Sequence, residues 1–396
     1  MGEGGIGDMT GHNPVEFARA LSAKLAARSR HVCLLLGAGA SSSCGLPDVG
    51  GLQSTVLASL GSSDQEALQR QLTGRNLEEA LSRLRRISAL LADDSQSVDG
   101  ITGPQARALD RKVCEAVTRA LSLDQAELTP VHDFAAWVAH GDYRQPVEVF
   151  TVNYDLAIET GLEDLGVPYF DGFVGTLNAR FRTDLVEATP ESNEPFVPAF
   201  FARLWKLHGS VNWARKDDGH VVRLGTPVEE GQAAAIYPSE AKYEESRRVP
   251  FVVLQDRLRR AIQLPETLLL VAGYSFRDSH LDELIFDAAL RCQRSEFIAF
   301  CFEDIPDKLA EQCRTSPNLQ AVAGSEAILG GVRDVWARPD DAPADLWNED
   351  ALTLCDFRRL AAHLARSATL DSSVAQSLSA TRDTAEGDGS GLVCNA

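Results

Sequence analysis

The spacing of apolar positions along the chain alternates between two periods. Residues 14–30 place Val15, Phe17, Leu21 and Leu25 at helical intervals, and 31–36 follow as a short apolar run that stops at Gly37. Helical spacing puts one face of the segment against a core, whereas a brief continuous run bounded by turn residues suits a strand covered on both sides. Comparable runs recur at 147–152, 201–207 and 268–272, each ending in a polar turn, and 296–302 and 332–337 supply further strand candidates. Helical patterns occupy 131–140, 281–290 and 355–366. Strands alternating with helices predict an α/β fold, a Rossmann-like parallel sheet with helices on both faces. From about 52 to 130, Leu and Ala recur at helical intervals in Glu/Arg-rich surroundings, as in the segment from Asn76 to Ile87, so a helical insertion is expected there. No internal repeat is present.

The pattern fades at both ends. Residues 1–12 are rich in Gly and 367–396 in Ser, Thr, Ala, Asp and Gly, compositions with too little apolar surface to offset the entropy of ordering. They are expected to be flexible and to flank one domain over 13–366.

Four of the expected strands end in residues with chemical potential, and ligands of parallel α/β sheets bind at the carboxyl ends of strands. After the first comes Gly37-Ala38-Gly39-Ala40-Ser41, then Gly45-Leu46-Pro47-Asp48. Glycines let backbone N–H groups approach a phosphate, but tight strand-to-helix turns use the same residues for packing alone. After the second comes Thr151-Val152-Asn153-Tyr154-Asp155, where an amide and a carboxylate could orient a sugar or a water, or could equally cap a turn. The third brings His208 and Gly209, with an imidazole suited to proton transfer near neutrality. The fourth is Gly273-Tyr274-Ser275-Phe276, followed by Arg277 and Asp278. Ser279 with Asp282 has capping-box spacing for the next helix.

Composition narrows the partners. With 38 Lys and Arg against 57 Asp and Glu, the formal net charge is −19, which repels a polyanion and disfavours direct nucleic-acid binding. An anionic ligand must then be held by short-range donors. The eight cysteines show no C-x-x-C pair and no zinc spacing, so no metal is expected, and Cys33 and Cys301 within apolar runs read as buried thiols of a reducing, cytoplasmic setting. The longest apolar stretches fall far short of the ~20 residues that span a bilayer.

The four strand ends in this order resemble the sirtuins. The glycine turn followed by Gly45-Leu46-Pro47-Asp48, the Thr151-x-Asn153-x-Asp155 motif, His208-Gly209 and the late Gly273-x-Ser275 match that family over most of residues 30–290. The four-cysteine zinc module of deacetylase sirtuins is missing, as is the arginine that follows their Pro-Asp-Phe. The remaining forms are similar to the bacterial sirtuin-like branch of antiphage defence, which hydrolyses NAD. The resemblance implies NAD as substrate, with its pyrophosphate over Gly37, Ala38, Gly39, Ala40 and Ser41, further contacts from Leu46, Pro47, Gly209, Gly273, Tyr274, Ser275 and Phe276, and nicotinamide ribose beside Asn153. It further implies Asn153 placing a water, His208 as general base and Asp155 orienting the ribose or stabilising the developing cation. A protein deacylase and a non-catalytic NAD or ADP-ribose sensor remain the alternatives. Since an NAD-draining enzyme needs restraint, the resemblance also implies a homo-oligomer or a separately encoded HerA-type ATPase/helicase as partner.

Overall fold

The computed structural model describes residues 11–92, 95–188, 201–216, 219–228, 234–236 and 249–367. Residues 1–10 and 368–396, within the segments expected to be flexible, lie outside that set. His12, just inside it, bridges to Trp336.

All six residues of His31–Leu36 (β1) are buried, and alternate side chains enter separate cores: Cys33 and Leu35 on one face, Val32, Leu34 and Leu36 on the other. A strand covered on both faces belongs inside a sheet. Eight strands join it: Glu148–Thr151 (β2), Tyr169–Phe170 (β3), Ala202–Lys206 (β4), Thr267–Ala272 (β5), Glu296–Phe300 (β6), Leu319–Val322 (β7), Glu326–Leu329 (β8) and Val332–Val335 (β9). Their spatial order is β9-β8-β7-β6-β5-β1-β2-β4-β3. Pairing is parallel from β3 to β7 and antiparallel in the terminal β7-β8-β9 meander. Helices Phe251–Ile262, Ser279–Arg291 and Asp307–Thr315 pack on one face, while Pro14–Ala26, Thr129–His140, Ala157–Asp164 and the helix over 357–367 pack on the other. The expected α/β class, with a largely parallel sheet between helical layers, is thus the observed one.

Two features of the sheet position a site. Strands add outward from β1 in both directions, β2 and β4 on one side and β5, β6 and β7 on the other, so the winding reverses at β1 and opens a crevice at the strand ends there. The register also aligns those ends. Leu36 pairs with both Thr151 and Ala272, Thr151 with Lys206, and Ala272 with Phe300.

The expected insertion is helical: Val49–Ser59, Ser62–Leu72, Leu77–Leu91 and Gly103–Ala120 surround their own core, which includes Val56, Leu68, Leu84 and Val113. Leu77–Leu91 starts with a capping box between Asn76 and Glu79. Tyr154 and Val211, from two of the strand-end motifs, are buried in this same core. A second, antiparallel sheet of Ala234–Ile236, Gly209–Arg215, Val221–Arg223, Ala179–Phe181 and Phe173–Val174 continues directly from His208.

At the amino end of the main sheet lies a polar cluster that the apolar run at 147–152 concealed. The Glu148 carboxylate, 1% exposed, accepts from Trp205 Nε1 at 2.7 Å and from Arg257 Nε at 2.8 Å, and meets His31 Nε2 at 3.0 Å. Burial alone would raise this carboxyl, but Arg257 and His31 outweigh it and hold it well below the ordinary carboxylate range. Arg203 is buried beside it.

Candidate active site

Each of the four motifs begins where an aligned strand stops. Leu207 N donates to Thr151 O at 2.8 Å and Val152 N to Leu36 O at 3.1 Å, so the turns carrying Gly37, Asn153 and His208 leave neighbouring points of one edge. Gly273 leaves the adjacent strand on the other side of β1.

The glycines are there for contact between backbones. A Cβ on Gly37 would come within 2.5 Å of Gly273 O, and one on Gly39 within 2.6 Å of Gly273 Cα. Gly273 itself has φ +64°, a conformation that L side chains rarely adopt. Gly37 N donates to Ala272 O and Gly39 N to Gly273 O, at 3.0 and 2.9 Å. These two amides, expected to face a pyrophosphate, are therefore engaged with the neighbouring strand and turn. Any phosphate contact from this turn falls to its other main-chain and side-chain groups.

Asn153 is pinned through its nitrogen. Nδ2 donates to Gly37 O at 2.9 Å and to Ser41 Oγ at 2.7 Å, and Asn153 N donates to Thr151 Oγ1 at 3.0 Å. A side-chain amide has two N–H donors, so both are used and Oδ1 is left to act as an acceptor. Ser41 passes the chain on, its hydroxyl donating to Asp155 Oδ2 at 2.6 Å. Asp155 Oδ1 accepts from Ala157 N at 3.0 Å, and the residue is 5% exposed. Each carboxylate oxygen thus carries a hydrogen bond from inside the protein, and Asp155 is linked through the Ser41 hydroxyl to the Asn153 amide. The buried Lys206 ammonium donates to Asp155 O and, at 2.9 Å, to Glu159 Oε1.

His208 is 4% exposed, and among the described residues neither ring nitrogen has a hydrogen-bond partner. Nε2 lies 3.3 Å from Asp278 Oδ2, within ion-pair range but out of line for a hydrogen bond. Ser210 Oγ and Val211 N, just beyond it, donate to Tyr154 O at 3.2 and 2.9 Å, tying the His208 and Asn153 turns together. The Tyr154 hydroxyl donates to Glu78 on the insertion helix Leu77–Leu91.

In the fourth motif Ser275 is exposed, while Tyr274 and Phe276 are buried with their rings 5.0 Å apart, and Phe276 stacks on Phe286. Their side chains belong to the core, and the turn offers a ligand its backbone and Ser275. Leu46 is likewise buried, Pro47 partly so, and Gly209 opens the second sheet with φ +91°. The capping-box reading of Ser279 is corrected by one residue: Asp278 caps the helix, Oδ1 accepting from His280 N at 3.0 Å and Leu281 N at 3.4 Å. Asp282 instead accepts from Tyr274 OH at 2.9 Å and pairs with Lys308 at 3.3 Å, and burial raises its carboxyl. The sequence signal for this cap is an Asp immediately before the helix, one position ahead of Ser279.

Among the described residues no group of three or more His, Cys, Asp or Glu is arranged to hold a metal ion, and no helix is long and apolar enough to cross a membrane. The comparison with curated proteins gives no match. Residues 147–321 do match a family model, described as the SIR2-like domain. That span runs from β2 into β7 and holds the Asn153, His208 and Gly273 turns, whereas the Gly37 turn precedes it and reaches the site through its contact with Gly273. A segment that matches the SIR2-like domain thus lies within a Rossmann-like sheet, which supports the resemblance to the sirtuin-like family.

Proposed function

We propose that the protein is an NAD hydrolase, cleaving NAD and water to nicotinamide, ADP-ribose and a proton. The observation that carries this reading is the pairing of a pinned amide with a buried imidazole whose Nδ1 has no partner among the described residues, on adjacent turns at one sheet edge of a segment that matches the SIR2-like domain. Breaking the glycosidic bond releases neutral nicotinamide and builds positive charge on the sugar, so the site needs an aimed water and a base. Asn153 Oδ1, with its Nδ2 fixed, holds that water or a ribose hydroxyl. His208 takes the proton as the new C–O bond forms, a role worth ~10²–10⁴ in rate. Asp155 acts through Ser41 on the amide. Two bound amides and a buried orphan nitrogen fit an uncharged ribose edge better than a phosphate.

The wider reading is depletion of NAD in an infected bacterial cell, restrained until triggered by self-assembly or by a HerA-type ATPase partner; it is supported by the motif forms alone. Incubating the protein with NAD in the absence of any peptide tests the activity. Nicotinamide and ADP-ribose in equal amounts are expected, and their loss in Asn153→Ala and His208→Ala without loss of fold. Turnover only with an acyl-lysine peptide would replace the hydrolase by a deacylase, and undiminished release in both variants would remove the assigned residues.

A further inference from the structure

The geometry points to Asp278 as the positioning partner of His208, holding the imidazole in its Nε2–H form so that Nδ1 is the acceptor toward substrate. His208 follows β4 and Asp278 follows β5, with β1 and β2 between them in the sheet. At strand spacings of ~4.8 Å the two strands are ~14 Å apart, so both turns arch over the switch point to bring the side chains together. Their side chains are 5% and 9% exposed.

A carboxylate taken out of water is costly unless its oxygens are engaged. Asp278 Oδ1 is engaged by the helix amides of His280 and Leu281, which fix its rotamer and place the charge at a helix N-terminus, where it is favoured. Oδ2 is left facing His208 Nε2 at 3.3 Å. Burial would raise this carboxyl, but His208 and the two amides outweigh it and keep it below its ordinary value. An ionised carboxylate only accepts, so the facing nitrogen carries the proton and Nδ1 carries the lone pair. The misalignment at Nε2 suits a contact that tightens when substrate is engaged. Asp278 touches no reacting atom in this scheme, and its effect runs through His208.

The inference rests on the proposed role of His208, but it can be read without turnover. Asn and Ser are both good N-caps, so Asp278→Asn and Asp278→Ser keep the helix start while removing the carboxylate. Ring 15N resonances of histidine-labelled protein, with His208 assigned by His208→Gln, should show the Nε2–H tautomer in the wild type above the imidazole titration and a shift toward Nδ1–H in Asp278→Asn. For nicotinamide release, kcat should fall by ~10² or more in both variants with KM little changed and the melting temperature retained. An Nδ1–H tautomer in the wild type, an unshifted tautomer in Asp278→Asn, or an unchanged kcat in both variants would overturn the inference. A wild type inert toward NAD whose tautomer nonetheless shifts in Asp278→Asn would uphold the pair and remove the hydrolase reading instead.

Discussion

Two buried histidines stand beside carboxylates at opposite ends of one sheet, and their surroundings differ in one respect. At the amino end, His31 Nε2 meets Glu148 at 3.0 Å and Nδ1 lies 3.3 Å from Thr267 Oγ1, while Glu148 is further held by Trp205 and Arg257. Trp205, Arg257 and His31 each direct a ring or guanidinium nitrogen at the Glu148 carboxylate, and both nitrogens of His31 face a protein oxygen. At the carboxyl end, His208 has a carboxylate on one side and, among the described residues, no partner on the other. Burial and a charged neighbour are common to both; what separates His31 from the histidine proposed to act on substrate is the nitrogen left for something else to bind.

The contrast can be broken from either end. The largest effect is expected from Glu148→Gln, which leaves Arg257 and His31 without their carboxylate and should cost about 3–5 kcal/mol of stability. Because the folded-state pKa of Glu148 is depressed, its contribution is present above the unfolded carboxyl pKa of ~4.3 and is lost as pH falls through the folded value. Urea unfolding at pH 7 and again at progressively lower pH should show a wide gap between wild type and variant that narrows below about pH 4. Turnover per folded molecule should survive, and a loss of chemistry at full stability would erase the distinction drawn between the two ends.

Gly273→Ala tests the carboxyl edge with a smaller stability effect. A Cβ there would collide with the Ala40 amide, on a residue already at φ +64°. About 1–3 kcal/mol of destabilisation is expected, together with a fall in nicotinamide release beyond what unfolding explains, because the Gly37 turn must move. Activity assayed well below the melting temperature separates the two contributions. The smallest change is Tyr154→Phe, which removes only the hydrogen bond to Glu78. Roughly 1 kcal/mol of stability and a few-fold in kcat at constant KM are expected. A null effect on kcat would show that the insertion is held by the Asn153 turn without steering it.

Much of this architecture could be seen in the sequence because burial on both faces writes unbroken apolar runs, as in Cys33 to Leu36 and Leu268 to Ala272. The four polar strand ends were visible for the complementary reason: small and amide residues interrupt those runs abruptly. Glu148 was hidden because one charged residue within an apolar run looks like noise until His31, Trp205 and Arg257 surround it. Gly209–Arg215 was not read as a strand because its buried positions include Ser210 and Asn212, satisfied in part by Tyr154 O and Leu224 O, partners remote in sequence. The β7–β8 hairpin is not legible because Gln320 interrupts one strand and Glu326 opens the other, so neither writes an unbroken apolar run. The glycine turn was recognised for a ligand, yet its two glycines are demanded first by Gly273, more than two hundred residues away.

That last contact constrains how the sequence can drift. At most paired sites a larger side chain on one partner is accommodated by a smaller one opposite, so substitutions travel in couples. Here all three positions already carry no side chain, and the intruding atoms would be main chain, which no substitution can trim. In a saturation library positions 37, 39 and 273 should each reject change independently, with no second-site replacement among them restoring what the first removed.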